Sequence, residues 1–214
     1  MNPQLAALAV HDLKNALGAL EGELGALEAE PDRELARAAR RHCAQLRQRF
    51  VAFLLLYRDS GDLRALSSDE SPLEFLRGIV AAAPDANEAG ASILTRLGSC
   101  EQAPPYWFFD VRLLRLALDA ALHNAWRFAR SEVCVDARME GDFLVISIDD
   151  DGPGLGGPDA VAGDEEAVSA PWSTGLGTEL CRAVARGHNN GSREGWVRLA
   201  DRPQGGARFE IGLP

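Results

Sequence analysis

The first residues that could carry chemistry lie near the amino terminus, in the run His11-Asp12-Leu13-Lys14-Asn15. An imidazole nitrogen that carries no proton can attack a phosphoryl group. The neighbouring carboxylate of Asp12 can accept the proton of the other ring nitrogen and so keep the attacking nitrogen unprotonated. Asn15 follows His11 by one helical turn, on nearly the same face. This run predicts a nucleophilic histidine with polar groups beside it.

A second candidate site combines Asn124, Asp150, Gly152 and Gly154. An Asp-x-Gly-x-Gly run is common in plain turns and is weak evidence when it stands alone. Here a helical run that ends in HNAWRFA precedes it, an apolar strand leads into it, and the glycine-rich segment STGLGTEL follows it. Glycines that open a helix suit phosphate binding, because free backbone amides and the helix dipole both favour an anion. The order of these motifs predicts a nucleotide site.

The amino-terminal part must present His11 on a helix. Its apolar residues recur at alternating spacings of four and three, which keeps one seam on a helix; they are Ala6, Val10, Leu13, Leu17, Leu20, Leu24 and Leu27. Asp32 is a candidate cap for a second helix with a similar seam. Two such helices form an antiparallel hairpin whose exposed seam calls for a second pair, so we predict a homodimer with a four-helix bundle.

The remainder of the chain predicts mixed helices and strands. Polar, turn-rich residues at Asp59 to Asp62 and again at Ser67 to Glu70 indicate a linker or hinge, so we predict one domain over residues 1–66 and another over residues 67–214. Ser71 and Asp110 are candidate caps of two helices. A strand hairpin is expected around Gly141, and two more strands around the turn Gln204-Gly205-Gly206. The fold class is therefore α+β.

This succession of motifs resembles the GHKL superfamily of ATP-binding domains, to which histidine kinases belong, over residues 70–214. The resemblance implies an α/β-sandwich that binds ATP and Mg²⁺, with Asn124 as the metal ligand and Arg127 and Phe128 in the basic and aromatic positions after it. Asp150 matches the carboxylate that accepts a hydrogen bond from the adenine amino group. Gly152 and Gly154 match the glycines beside the nucleotide. The residues that match the phosphate-binding segment are Thr174, Gly175 and Gly177.

The amino-terminal run resembles the phosphoacceptor motif of histidine kinases. The resemblance implies that the chain is a histidine kinase, which phosphorylates His11 from ATP and passes the phosphoryl group to an aspartate of a response-regulator receiver domain. Asn15 matches the position that orients water for dephosphorylation of a partner. Lys14 is the only lysine in the chain, and a phosphate contact and a plain surface role stay equally open for it. Ala16 replaces the usual proline of the motif.

Several positions depart from the family pattern. Ala120 stands where a second Asn is usual, Ser173 replaces a glycine, and residues 156–171 are acidic and contain no Phe. These departures motivate one alternative, a histidine phosphotransfer protein with a degenerate domain that does not use ATP. The superfamily resemblance leaves a second alternative, a GHKL regulator of the anti-sigma serine-kinase type, against which the amino-terminal hairpin argues.

Composition narrows the partners. The formal net charge of −10 argues against a nucleic-acid-binding surface, which needs clustered Lys and Arg. No apolar run approaches the roughly 20 residues of a membrane-spanning helix, and no signal peptide is evident, so we expect a cytoplasmic protein. The expected partners are a second copy of the chain, a receiver domain and a separate sensor protein.

Overall fold

The computed structural model describes residues 3–58, 63–83, 92–155 and 176–214. The chain divides into two compact units. The first comprises Met1–Asp62 with Glu165–Leu180, and the second comprises Leu63–Asp164 with Cys181–Pro214. The predicted boundary between residues 66 and 67 stays a prediction.

Two long helices make up the described part of the first unit before residue 63. Helix α1 spans Pro3–Ala29 and helix α2 spans Arg33–Arg58. The predicted cap at Asp32 is present, since its Oδ2 accepts a hydrogen bond from the backbone N–H of Leu35 at 3.2 Å. A hydrogen bond between His42 Nδ1 and Glu23 Oε1 joins the two helices. None of the helices in the described ranges has the length and hydropathy of a membrane-spanning segment.

The second unit is an α+β domain, as predicted. Its helices are α3 (Pro72–Ala81), α4 (Val111–Phe128) and the carboxyl-terminal part of α5 (Leu176–Gly187). Its strands are β1 (Ser68–Glu70), β2 (Leu94–Leu97), β3 (Trp107–Phe109), β4 (Glu132–Glu140), β5 (Phe143–Asp150), β6 (Asn189–Asn190), β7 (Arg193–Glu194), β8 (Trp196–Asp201) and β9 (Ala207–Leu213).

A mixed five-stranded sheet forms the centre of this unit, in the order β2-β4-β5-β9-β8. Of the four strand pairs that the structure describes in this sheet, only β2–β4 is parallel. The predicted hairpins are present, with β4 and β5 joined at Gly141 and β8 and β9 joined by the turn at residues 202–206. Helices α3 and α4 pack on the sheet. Helix α4 buries an apolar stripe from Leu114 to Ala125, whose residues recur at spacings of three and four. This helical spacing is the pattern from which the sequence predicted the helix.

One prediction is corrected by the sheet pairing. Residues 68–70 belong to strand β1, which pairs antiparallel with β3, and are therefore not part of a linker. Their polarity suits a short, exposed two-stranded ribbon as well as it suits a linker, so the sequence pattern did not distinguish the two.

Buried His188 connects the end of α5 to the start of α4. Its Nε2 accepts a hydrogen bond from the backbone N–H of Asp110 at 2.9 Å, and its Nδ1 donates to the carbonyl of Val184 at 2.7 Å. The ring is therefore neutral with its proton on Nδ1. The carboxylate of Asp110 caps α4 by accepting from the N–H groups of Arg112 and Leu113, and it also accepts from Leu66.

We expect the domain to lose stability as the pH falls from about 7 towards 5, because burial lowers the pKa of His188 against the smaller opposing effects of Val184 and Asp110. A histidine whose pKa is lowered by folding binds a proton more readily in the unfolded chain, so acid favours unfolding below about pH 6.5. Thermal unfolding of His188→Gln should show a smaller pH dependence across this range. An unchanged dependence in His188→Gln would contradict the assignment.

Candidate functional site

The last turn of α4 contributes three of the predicted site residues. Asn124 has an exposed side chain, and Phe128 is 43% exposed. The Arg127 guanidinium carbon lies 5.1 Å from the centre of the Phe128 ring, a cation–π distance. Asn124 lies one helical turn before Phe128, so the two residues share a face of the helix.

Asp150 ends strand β5 and begins the loop that follows it. Its side chain is 7% exposed, and its Oδ1 accepts hydrogen bonds from the backbone N–H of Gly152 at 2.9 Å and of Ala207 at 3.1 Å. Its Oδ2 accepts no hydrogen bond from the residues that the structure describes. The carboxylate is thus held rigidly by one oxygen and keeps the other as an acceptor.

The two glycines of the loop are required by close contacts. A Cβ atom on Gly152 would lie 2.3 Å from the backbone oxygen of Phe128, so only glycine allows the loop to lie against the end of α4. Gly154 has a φ of +85°, a conformation that other residues rarely adopt. The structure therefore brings the Asp150–Gly154 loop together with the last turn of α4.

Two further acidic residues hold this loop, and the sequence motifs did not single them out. Asp151 binds the segment between α4 and β4 through Arg130 and Ser131, and Asp201 accepts a hydrogen bond from the backbone N–H of Leu155. The only sequence signal for Asp151 is its place in the run Asp149-Asp150-Asp151-Gly152, where an aspartate before a glycine often binds nearby backbone amides. No sequence signal points to Asp201, which lies 46 residues beyond Leu155.

Part of the predicted phosphate-binding segment lies outside the described residues. Thr174, Gly175 and Ser173 belong to this part, as does the acidic stretch at residues 156–171. Gly177 lies in the first turn of α5, in a stretch that groups with the first unit.

The predicted phosphoacceptor run lies on α1. His11 and Asn15 are exposed and adjacent, with the His11 Nδ1 and Asn15 Nδ2 atoms 3.2 Å apart. The Lys14 side chain is exposed as well, whereas the placement of the Asp12 side chain lies outside the described part. Rotating the Asn15 amide by 180° exchanges its oxygen and nitrogen. The amide oxygen can then accept a hydrogen bond from a protonated His11 Nδ1, which leaves the lone pair of the ring on Nε2.

A cavity of about 480 Å³ opens elsewhere in the second unit. Asp142, which immediately precedes β5, lines the cavity, so this part of the cavity lies one strand length, roughly 25 Å, from Asp150. Its other lining residues are Ser67, Trp107, Phe108, His188, Asn189, Asn190, Arg193 and Pro214. The cavity is therefore separate from the loop at Asp150.

Comparison with known proteins identifies the domain. Residues 109–214 match the family described as histidine kinase-, DNA gyrase B-, and HSP90-like ATPase. The sensor protein KdpD of Escherichia coli (strain K12) is 30% identical over 229 aligned positions, which cover the whole of this chain. The chain has a two-component histidine kinase core. The sensor histidine kinase CpxA of Escherichia coli (strain K12) is 32% identical over 108 residues, or 47% of this chain.

This histidine kinase core spans only about a quarter of its curated relatives, since it covers 24% of KdpD and 22% of CpxA. Among solved structures, the Acinetobacter baumannii histidine kinase AdeS matches it with a TM-score of 0.63 at 16% identity, over 95% of this chain and 96% of that one. The histidine kinase ThkA, in complex with the response regulator protein TrrA, also has a TM-score of 0.63, at 14% identity, over 99% of this chain and 61% of that one. At these identities the structural matches establish the fold alone.

Proposed function

We propose that this core uses ATP to phosphorylate His11 and then passes the phosphoryl group to an aspartate of a response-regulator receiver domain. The observation that carries the proposal is the presence, in one chain, of the exposed His11–Asn15 pair and of an ATPase-family domain at residues 109–214. Neither the phosphotransfer protein nor the serine-kinase regulator needs both features to be functional.

The proposed chemistry at α1 follows from the imidazole. The Nε2 lone pair of His11 attacks the γ-phosphorus, a nitrogen–phosphorus bond forms, and the bond from phosphorus to the bridging oxygen breaks with its electrons leaving on ADP. Asp12 and Asn15 serve to hold the Nδ1 proton, and Lys14 contacts phosphate. In the proposed phosphatase reaction, Asn15 orients the water that dephosphorylates the receiver domain.

The proposed nucleotide contacts use the geometry of the loop. Asp150 Oδ2 is the acceptor for the adenine amino group, because Oδ1 already accepts two backbone hydrogen bonds. The neutral side-chain oxygen of Asn124 suits Mg²⁺, which prefers oxygen ligands, and when bound the ion neutralises charge on the triphosphate. Arg127 and Phe128 border the site, and Thr174, Gly175 and Gly177 remain the candidates for phosphate binding.

Incubation with ATP labelled at the γ-phosphate tests the proposed function. We expect a phosphoprotein whose label is lost in acid, as histidine phosphate is, and which passes to a receiver domain when one is added. An unlabelled chain with no ATP affinity, which becomes labelled only from a phosphorylated receiver, would instead select the phosphotransfer alternative. Acid-stable phosphate on a partner protein would select the serine-kinase alternative.

The proposed assembly is a homodimer through an antiparallel hairpin of α1 and α2. Val10, Leu17 and Leu24 lie seven residues apart on α1, and each is about half exposed, at 53%, 47% and 49%. Because a continuous exposed apolar seam is unfavourable in water, a second copy that completes a four-helix bundle would cover it. The receiver domain and a separate sensor protein are further proposed partners, in the cytoplasm where ATP is available.

Leu17→Glu is expected to convert the dimer into a monomer, because it places a charge in the centre of the seam where burial has a large free-energy cost. Light scattering coupled to size-exclusion chromatography measures the change in mass. Glu21→Gln, on an exposed position one turn later, is the control and should remain dimeric. A Leu17→Glu protein that keeps the wild-type mass would exclude this seam as the interface.

A further inference from the structure

Asp151 fixes the start of the loop at residues 150–155 to the segment between α4 and β4. Its Oδ1 accepts hydrogen bonds from the backbone N–H of Arg130 at 2.8 Å and of Ser131 at 3.1 Å. Its Oδ2 accepts from the same Ser131 N–H at 3.1 Å and from the Ser131 hydroxyl at 2.6 Å. Both carboxylate oxygens are therefore used in holding the loop.

These hydrogen bonds favour the charged form of Asp151. Burial alone would raise the pKa of this carboxyl group, but the hydrogen bonds donated by Ser131 and its backbone neighbours outweigh burial and lower the pKa to about 2. The group is a carboxylate throughout the neutral range. Charge-assisted hydrogen bonds of this kind are stronger than those between neutral groups, so the attachment is firm.

Asp201 fixes the other end of the loop. Its Oδ1 accepts a hydrogen bond from the backbone N–H of Leu155 at 2.6 Å. Asp201 ends strand β8 and is itself placed by its pairing with Ala207 on β9. A Cβ atom on Gly154 would lie 2.6 Å from the same Oδ1, so the loop backbone lies directly on this carboxylate. The adjacent Arg202 donates to the backbone oxygen of Asp150 at 2.6 Å.

We propose that Asp151 and Asp201 form a two-carboxylate clamp that holds residues 150–155 in the conformation that binds the nucleotide. The clamp rests on the proposed function, since it acts through Asp150. Its two members are positioning residues, because the hydrogen bonds that their carboxylates accept come from the loop and from the segment that supports it. A loop that is already ordered loses less conformational entropy when it binds, so the clamp raises nucleotide affinity without touching the nucleotide.

Calorimetric ATP binding by Asp151→Ala and Asp201→Ala, in the whole 214-residue chain, tests the clamp. Each variant should bind ATP about tenfold more weakly than wild type, and Asp151→Asn and Asp201→Asn, which keep one acceptor oxygen, should lose less. The Gly152 and Leu155 amides should also exchange hydrogen faster in the absence of ATP, which reports on the loop itself.

Glu210→Gln is the matched control for a general loss of stability. Glu210 is also a buried carboxylate of the sheet, paired with Arg138 at 2.9 Å and Arg198 at 2.6 Å, but it contacts no residue of the loop in the part of the chain that the structure describes. Its replacement should lower the melting temperature and leave ATP affinity within about twofold of wild type. Measurements are made well below the melting temperature of every variant.

The outcomes separate the clamp from the proposed function. Wild-type ATP affinity in both Asp151→Ala and Asp201→Ala, or an equal loss in Glu210→Gln, overturns the clamp while the proposed function stands. A wild-type chain that does not bind ATP overturns both the proposed function and the role of the clamp in nucleotide binding. Weakened binding in both variants with faster loop exchange, against an unaffected control, supports the clamp.

Discussion

Asp150→Asn is expected to weaken ATP binding about 100-fold while leaving the domain folded. Asparagine has the shape of aspartate and keeps Oδ1, which accepts from the N–H groups of Gly152 and Ala207. Because these two donors orient the oxygen towards themselves, the amide nitrogen must take the place of Oδ2. A donor then faces the amino group of adenine, which is also a donor, and the interaction that reads the base becomes repulsive.

Asp149→Asn provides the control for this prediction. Asp149 precedes Asp150 on β5, so its side chain points to the opposite face of the sheet, where it pairs with Arg208 at 2.6 Å and 2.7 Å. Isothermal titration calorimetry of both variants measures the affinity, and circular dichroism checks that both are folded. Wild-type ATP affinity in Asp150→Asn would show that this carboxylate does not read the base.

His11→Gln is expected to abolish phosphorylation of the chain completely while leaving ATP binding unchanged. Glutamine is polar and of similar length, and it suits a helix, so α1 should persist. It has no ring nitrogen that can attack phosphorus, and no acid-labile label should appear. The measurement is incorporation of label from ATP labelled at the γ-phosphate, with ATP affinity determined in parallel.

His42→Gln is the matched control for the loss of an imidazole from the helices. His42 lies on α2, where it pairs with Glu23 and is partly buried. This variant should still incorporate label, since its histidine has a structural contact and lies apart from the exposed pair on α1. Acid-labile label that persists in His11→Gln would refute His11 as the phosphoacceptor and leave the ATP site unaffected.

The sequence alone determined the elements whose causes are local. Asp110 and Ser71 cap helices because a short polar side chain binds the first free amides of the helix that follows it. The leucine spacing of α4 and the alternation around Gly141 follow from the periods of a helix and a strand. The run at Asp150, Gly152 and Gly154 also predicted a tight loop, because close backbone contacts and positive φ angles favour glycine.

The tertiary structure decided which distant groups meet at that loop. Ala207 and Asp201 reach it only because β9 pairs with both β5 and β8, a register that brings together residues about 50 positions apart. The polar stretch at residues 68–70 became a strand because β3 lies beside it. A local pattern indicates which kinds of group a residue can bind. The partner that it does bind depends on how the strands pair, and this pairing joins residues that are distant in the sequence.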